Sequence, residues 1–257
     1  MSQANINELF DQTLLGDYDD ETPWQAVHAL RRLGTREIFD QAAKWCESDN
    51  PLYRARGADV LAQLGRTIEH PHNNFPEESY AIITELVQRE THQLPLNSAI
   101  AAMGHLENPL AIPLIAGFHT HLDAEIRFTV ACALGCFPND PLSVSILLKL
   151  MQDTDEDVRD WSTFGLGVLG VCDSAAIRDA LMERLSDSNG DVRAEAMVGL
   201  AIRQDQRVLA SVLAALREPA TTKLAVEAAC YLLGMQNERT DWSGDDYARA
   251  LREKFAV

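Results

Sequence analysis

Positive charge is scarce in this chain. Its 257 residues carry 22 Lys plus Arg, four of them lysine, against 39 Asp plus Glu, for a formal net charge of −17. That balance repels phosphate backbones and anionic lipid surfaces, so neither nucleic acid nor a membrane is expected as a partner. Long apolar runs are missing too. Stretches such as 108–122 are broken by prolines and polar residues, and none reaches the roughly 18 apolar residues of a membrane span. The first residues, MSQANINELFDQTLLGDYDDE, show no basic start, apolar core or small-residue cleavage site, which reads against a signal peptide. Cysteines are few and odd in number: Cys46, Cys132, Cys136, Cys172 and Cys230 lie mostly in apolar helical segments, so a reducing, cytoplasmic setting is expected rather than a disulfide framework. Strand signals are absent, and no G-x-S-x-G, Walker loop or H-E-x-x-H occurs. No catalytic residue, cofactor or metal is therefore assigned.

What the chain does contain is a repeat. The segments 52–65 (LYRARGADVLAQLG), 125–137 (EIRFTVACALGCF), 157–170 (DVRDWSTFGLGVLG) and 191–202 (DVRAEAMVGLAI) align on Arg54, Arg127, Arg159 and Arg193. Small or branched residues follow at +3, usually leucine at +7, and small residues at +8 or +11, offsets that trace one helix face. Weaker copies anchor on Pro23, Leu96 and Lys223, giving seven, spaced by 31, 42, 31, 32, 34 and 30 residues. Each interval has room for a second helix, expected near 35–47, 76–90, 109–119, 140–152, 174–186 and 205–217, with another near 4–15. The unit is a helical hairpin. Thr22-Pro23 and Asn50-Pro51 read as helix starts, and Gly34, Gly65, Gly170 and Gly234 as helix stops. An insertion at about 66–77 reads as an exposed loop, and about 241–257 as a capping helix over the end of a single domain, 1–257.

These residues resemble the HEAT-repeat proteins, in the short bacterial form also found in phycobilisome lyases, whose motif is D-x-x-x-V-R-x-x-A-x-x-x-L-G. The likeness is strong at 123–202, moderate at 49–65 and 221–234, and weak at both ends. It implies an all-α fold, a right-handed α-α superhelix of about seven hairpins. It also implies that Arg54, Arg127, Arg159 and Arg193, with Asp153 and Asp187 six residues before the last two, form a structural ladder between repeats rather than an anion site. The segment 157–209 is further similar to a group of bacterial HEAT proteins, one of them presumed to be an immunity protein against Rhs-type toxins. HEAT-type iron hydroxylases use repeated His-Glu dipeptides as ligands, and this chain has none.

Other candidate chemistry is thin. Asp153, Asp155 and Asp157 alternate as in a calcium loop, but Val158 and Phe164 stand where its glycine and bidentate glutamate belong, so these acids are expected to favour a helix start. His70 with His72, His119 with His121, and Cys132 with Cys136 lack the spacing of a zinc site. The glycines of GLGVLG at 165–170 are expected to serve close packing.

In HEAT solenoids the face opposite the core lines a concave groove, sampled here by offsets +2, +5 and +9. The amino-terminal half of that row is polar, including His28, Arg56 and Asp59, and the other half apolar. Trp161 and Phe164, three apart on one helix, would form a hot spot with Phe128 and Cys132 as neighbours. Tight stacking of repeats would instead bury both rings as core. The expected function is a non-enzymatic scaffold that binds a basic protein or peptide in the groove. Two alternatives are a lyase-like or chaperone protein with a small planar ligand near Cys132, and an immunity protein neutralising a toxin.

Overall fold

The computed structural model describes residues 3–218 and 222–256. The described residues form fifteen α-helices and no strand, and the chain divides into two compact units, Met1–Phe137 and Pro138–Val257.

The first unit holds α1 (Gln3–Gln12), α2 (Glu21–Leu33), α3 (Arg36–Cys46), α4 (Pro51–Ala62), α5 (Pro76–Arg89), α6 (Gln93–His105), α7 (Ile112–Ala116) and α8 (Ala124–Gly135). Repeat-bearing helices stack in series, α2 on α4, α4 on α6 and α6 on α8, with α3, α5 and α7 completing the hairpins. Leu30, Ile38, Leu61, Ile83, Leu86, Ile100, Met103 and Ile126 are fully buried between them, each contributing about 1.5–3 kcal/mol of apolar burial. Asn50 caps α4 ahead of Pro51, as its sequence indicates, through a 2.9 Å bond from the Leu52 amide. Thr22-Pro23 does not start α2. That helix begins at Glu21 after Asp20, so Pro23 sits within the first turn, where its missing N–H leaves no intrahelical bond unmade. The insertion is an ordered loop tied to helix ends: Asn73 donates to the Leu61 carbonyl (2.7 Å) and Asn74 to that of Gly34 (2.8 Å). Asn74 lies directly over Gly65, which has φ +81° and space for no Cβ.

The second unit holds α9 (Pro141–Leu150), α10 (Glu156–Phe164), α11 (Ala175–Arg184), α12 (Gly190–Ile202), α13 (Leu209–Ala215), α14 (Lys223–Leu233) and α15 (Gly244–Phe255). Here α10 packs on α12 and α12 on α14, while α15 covers α14. A capping box starts α15, with the Asp246 amide donating to Ser243 Oγ and the Ser243 amide to Asp246 Oδ2. The glycines of 165–170 do serve close packing, but not in α-helix. Gly165–Leu169 widens into a π-turn, and a Cβ on Gly199 would stand 2.8 Å from Gly167 Cα.

The repeated arginines share one geometry. Arg54, Arg127, Arg159 and Arg193 each donate from Nη1 to the carbonyls six and five residues earlier, closing the turn before their own helix. Arg159 also forks onto Asp187 of the next hairpin at 2.8 and 2.9 Å, and Arg54 onto Glu90 at 2.7 and 3.0 Å. So Asp153 and Asp187 receive the arginine six residues ahead on their backbone oxygens, and the Asp187 carboxylate belongs to the preceding repeat. The hydrogen bond from Arg159 holds Asp187 down at about 2.

Candidate functional site

Asp155 caps α10, accepting from the Asp157 and Val158 amides, so this acid run starts a helix. Val158, Ser162 and Thr163 face the core. Trp161, on the other side, stays 39% exposed, and Phe164 is half-buried beside it with ring centroids 5.6 Å apart and edge-on. Repeat stacking therefore leaves the indole at the surface.

Next to this pair runs a row of carboxylates that sequence reasoning did not nominate. Asp160 stands on α10, Glu195 on α12 and Glu227 on α14, each half-buried. Burial, then the charges of Asp160, Glu227 and Asp191, push Glu195 up to about 7. Burial and the charges of Asp191 and Asp157 raise Asp160 as well. Asp160 Oδ1 and Glu195 Oε2 are buried without a hydrogen-bond partner. Close, mutually repelling carboxylates of this kind form a site for positive charge. At the α14 end the row meets Tyr231, 39% exposed, and a cavity of about 490 Å³ lined by Lys223, Glu227, Cys230, Tyr231, Met235 and Glu238 among others.

The repulsion has a consequence for stability. Between the ordinary carboxylate range and about 7, folded chains retain a proton on Glu195 that unfolded chains have released. Stability therefore falls as pH rises through that window. Glu195→Gln removes the penalty. Thermal melts are expected to show the variant more stable than wild type by a few degrees at about pH 8 and indistinguishable at about pH 4; an equal shift at both pH values would contradict the carboxylate row.

The other nominated residues lie in the first unit. Arg56 and Asp59, expected in an open groove, are buried, with 1% and 5% exposure. The connection between α1 and α2 covers them: Tyr18 Oη donates to Asp59 Oδ2 (2.8 Å) and pairs with Ser98 Oγ (2.7 Å). Arg56 donates to the Thr13 and Tyr18 carbonyls and to Asp59, under the Tyr18 ring. These groups hydrogen-bond one another and lie buried rather than lining an open groove. His28 is exposed on α2 next to Trp24, its pKa lowered by burial and by Arg31 and Arg32. Phe128 and Cys132 are half-buried on α8, and burial pushes the Cys132 thiol up to about 12. That favours the neutral thiol over a nucleophilic thiolate.

Among the described residues no three His, Cys, Asp or Glu side chains converge as metal ligands. His121 Nδ1 is occupied by the Asp123 amide and His119 Nδ1 by the Ala116 carbonyl. No described helix is long and apolar enough to cross a membrane.

The row of carboxylates was missed for two reasons of register. Asp160 sits at +1, outside the sampled offsets. In the last copy, Ala225, Ala228 and Leu232 are fully buried while Glu227 and Tyr231 face outward, so offsets counted from Lys223 fall on the core face of α14 and pass over Glu227. Glu195 was on the sampled face at +2, and the charges around it carried the missing signal.

The class defined by these features is an all-α array of helical hairpins with an acidic, aromatic surface. No family model matches the chain. It is 28% identical over 233 residues to Protein YibA of Escherichia coli (strain K12), spanning 88% of this chain and 80% of YibA. It is also 25% identical over 182 residues to the phycocyanobilin lyase subunit alpha of a Nostoc species, spanning 70% of this chain and 65% of that subunit. The X-ray structure of Escherichia coli YibA superposes with a TM-score of 0.73 at 22% identity, covering 100% of this chain and 93% of that one. The shared fold is the helical solenoid of HEAT-type proteins.

Proposed function

We propose that this chain is a non-enzymatic, cytoplasmic scaffold whose α10–α12–α14 face binds a basic segment of a protein partner, with no role for nucleic acid, membrane or cofactor. The observation that carries this reading is the carboxylate row of Asp160, Glu195 and Glu227 beside the exposed Trp161. Partner cations would relieve its mutual repulsion, and the exposed edge of Trp161 adds apolar contact area beside them. A toxin neutralised by this chain is one form such a partner would take. A fluorescent hexa-arginine peptide tests it by anisotropy. Asp160→Asn with Glu195→Gln is expected to weaken binding by about tenfold. Glu8→Gln with Asp11→Asn, which removes the same charge from α1, is expected to leave it within about twofold. Equal losses from both pairs would show that only net charge is being read.

A second reading draws on the similarity to the phycocyanobilin lyase subunit alpha: the chain would handle a bilin-like chromophore. Absorption spectroscopy with phycocyanobilin separates the two. A saturable change in the visible spectrum supports lyase-like handling, and a spectrum equal to that of free pigment removes it.

A further inference from the structure

We propose that the cavity on α14 is a side-chain pocket for one arginine of the basic partner segment, its guanidinium held between Glu227 and Glu238 and its stem laid across Tyr231 and Met235. The proposal rests on the reading that the α10–α12–α14 face binds such a segment, and it specifies which residue of the segment is selected.

Three observations on one wall of the second unit support it. The volume, about 490 Å³, lies within the roughly 300–1,000 Å³ of ligand pockets. The charge balance is two carboxylates to one cation, Glu227 and Glu238 against Lys223, and neither carboxylate forms an ion pair with a described residue. Both are near Cys230 at the pocket wall: after burial, it is the charges of Glu238 and Glu227 that push the thiol upward. The same Glu227 acts on Glu195, so the pocket continues the carboxylate row. The apolar lining then discriminates between cations. Tyr231 presents an exposed ring and Met235 a thioether, surfaces on which a planar, weakly hydrated guanidinium stacks better than a compact ammonium.

Two-dimensional amide NMR of the full chain, titrated with N-acetyl-arginine methylamide, tests this. Saturable shifts are expected for amides of 227–238, smaller with the lysine analogue and absent with the citrulline analogue, which keeps the shape without the charge. Shifts that map elsewhere, or equal shifts from citrulline, would overturn it. Saturation by spermidine at lower concentration than by the arginine probe would overturn it in favour of a free amine.

Hexa-arginine separates this proposal from the reading beneath it. Glu238→Gln with Tyr231→Ala is expected to weaken the peptide about fivefold. No effect from that pair, alongside the loss from Asp160→Asn with Glu195→Gln, overturns the pocket alone. No effect from either pair overturns the binding face together with its pocket.

Discussion

Arg56→Ala is expected to lower the unfolding free energy by about 3–5 kcal/mol, the usual consequence of removing one member of a buried ion pair. Arg56 is 1% exposed. Its Nε donates to the Thr13 carbonyl at 2.9 Å, Nη2 to that of Tyr18 at 2.7 Å, and Nη1 to Asp59 Oδ2 at 3.2 Å. Alanine would leave a buried carboxylate and two carbonyls without their cation, and would release the α1–α2 connection from α4. The pH dependence follows from Asp59. Burial already raises its pKa, opposed by the Tyr18 hydroxyl and by Arg56 and Arg31. Without Arg56 it rises further, and the penalty of holding the carboxylate charged is greatest where the unfolded chain ionises freely. Urea denaturation is therefore expected to show a larger loss near pH 7 than near pH 4. A variant within about 1 kcal/mol of wild type at both pH values would mean that the network does not hold the segment down.

Arg203→Ala is expected to cost about 2–4 kcal/mol, with its effect centred on the π-turn. Arg203 is 7% exposed, and its guanidinium hydrogen-bonds carbonyls: Nη1 meets Gly167 (2.7 Å) and Gly199 (2.9 Å), Nη2 meets Leu166 (2.8 Å), Gly170 (3.1 Å) and Cys172 (2.8 Å), and Nε also meets Cys172 (3.0 Å). A widened last turn frees carbonyls that a normal helix would pair, and a cation at the negative end of the helix dipole satisfies them. Burial lowers the pKa of Arg203, which is the electrostatic penalty of this arrangement. Hydrogen exchange in the variant is expected to accelerate across 164–172 before the rest of the second unit. Uniform acceleration, or none, would show that the guanidinium does not hold this turn.

Much of the hairpin architecture was legible because it repeats. The phase of Arg54, Arg127, Arg159 and Arg193 locates α4, α8, α10 and α12, and the apolar segments between copies locate α3, α5, α9 and α11 within a few residues. Near 109–119 and 205–217 the second helices are short, each preceded by a 3₁₀ turn, at Pro109–Ala111 and Gln206–Val208. Tertiary pairings were not legible. Tyr18 meets Asp59 across 41 residues and Ser98 across 80, and no local pattern marks a loop residue that will cover a helix face. The polar row of Arg56 and Asp59 therefore read as an open groove. The π-turn depends on Arg203, more than thirty residues from the carbonyls it gathers there. Helical phase places Glu195 and Trp161 at the surface, but the clustering of carboxylates from three helices is visible only once the hairpins are stacked.

The most direct test of the basic-partner account is hydrogen exchange with mass spectrometry on the intact chain, with and without saturating hexa-arginine at near-physiological salt. Protection is predicted in the peptides covering 156–169, 191–202 and 223–238, with the Met1–Phe137 unit unchanged. Protection confined to residues 1–137, or spread evenly over every acidic surface, would contradict it.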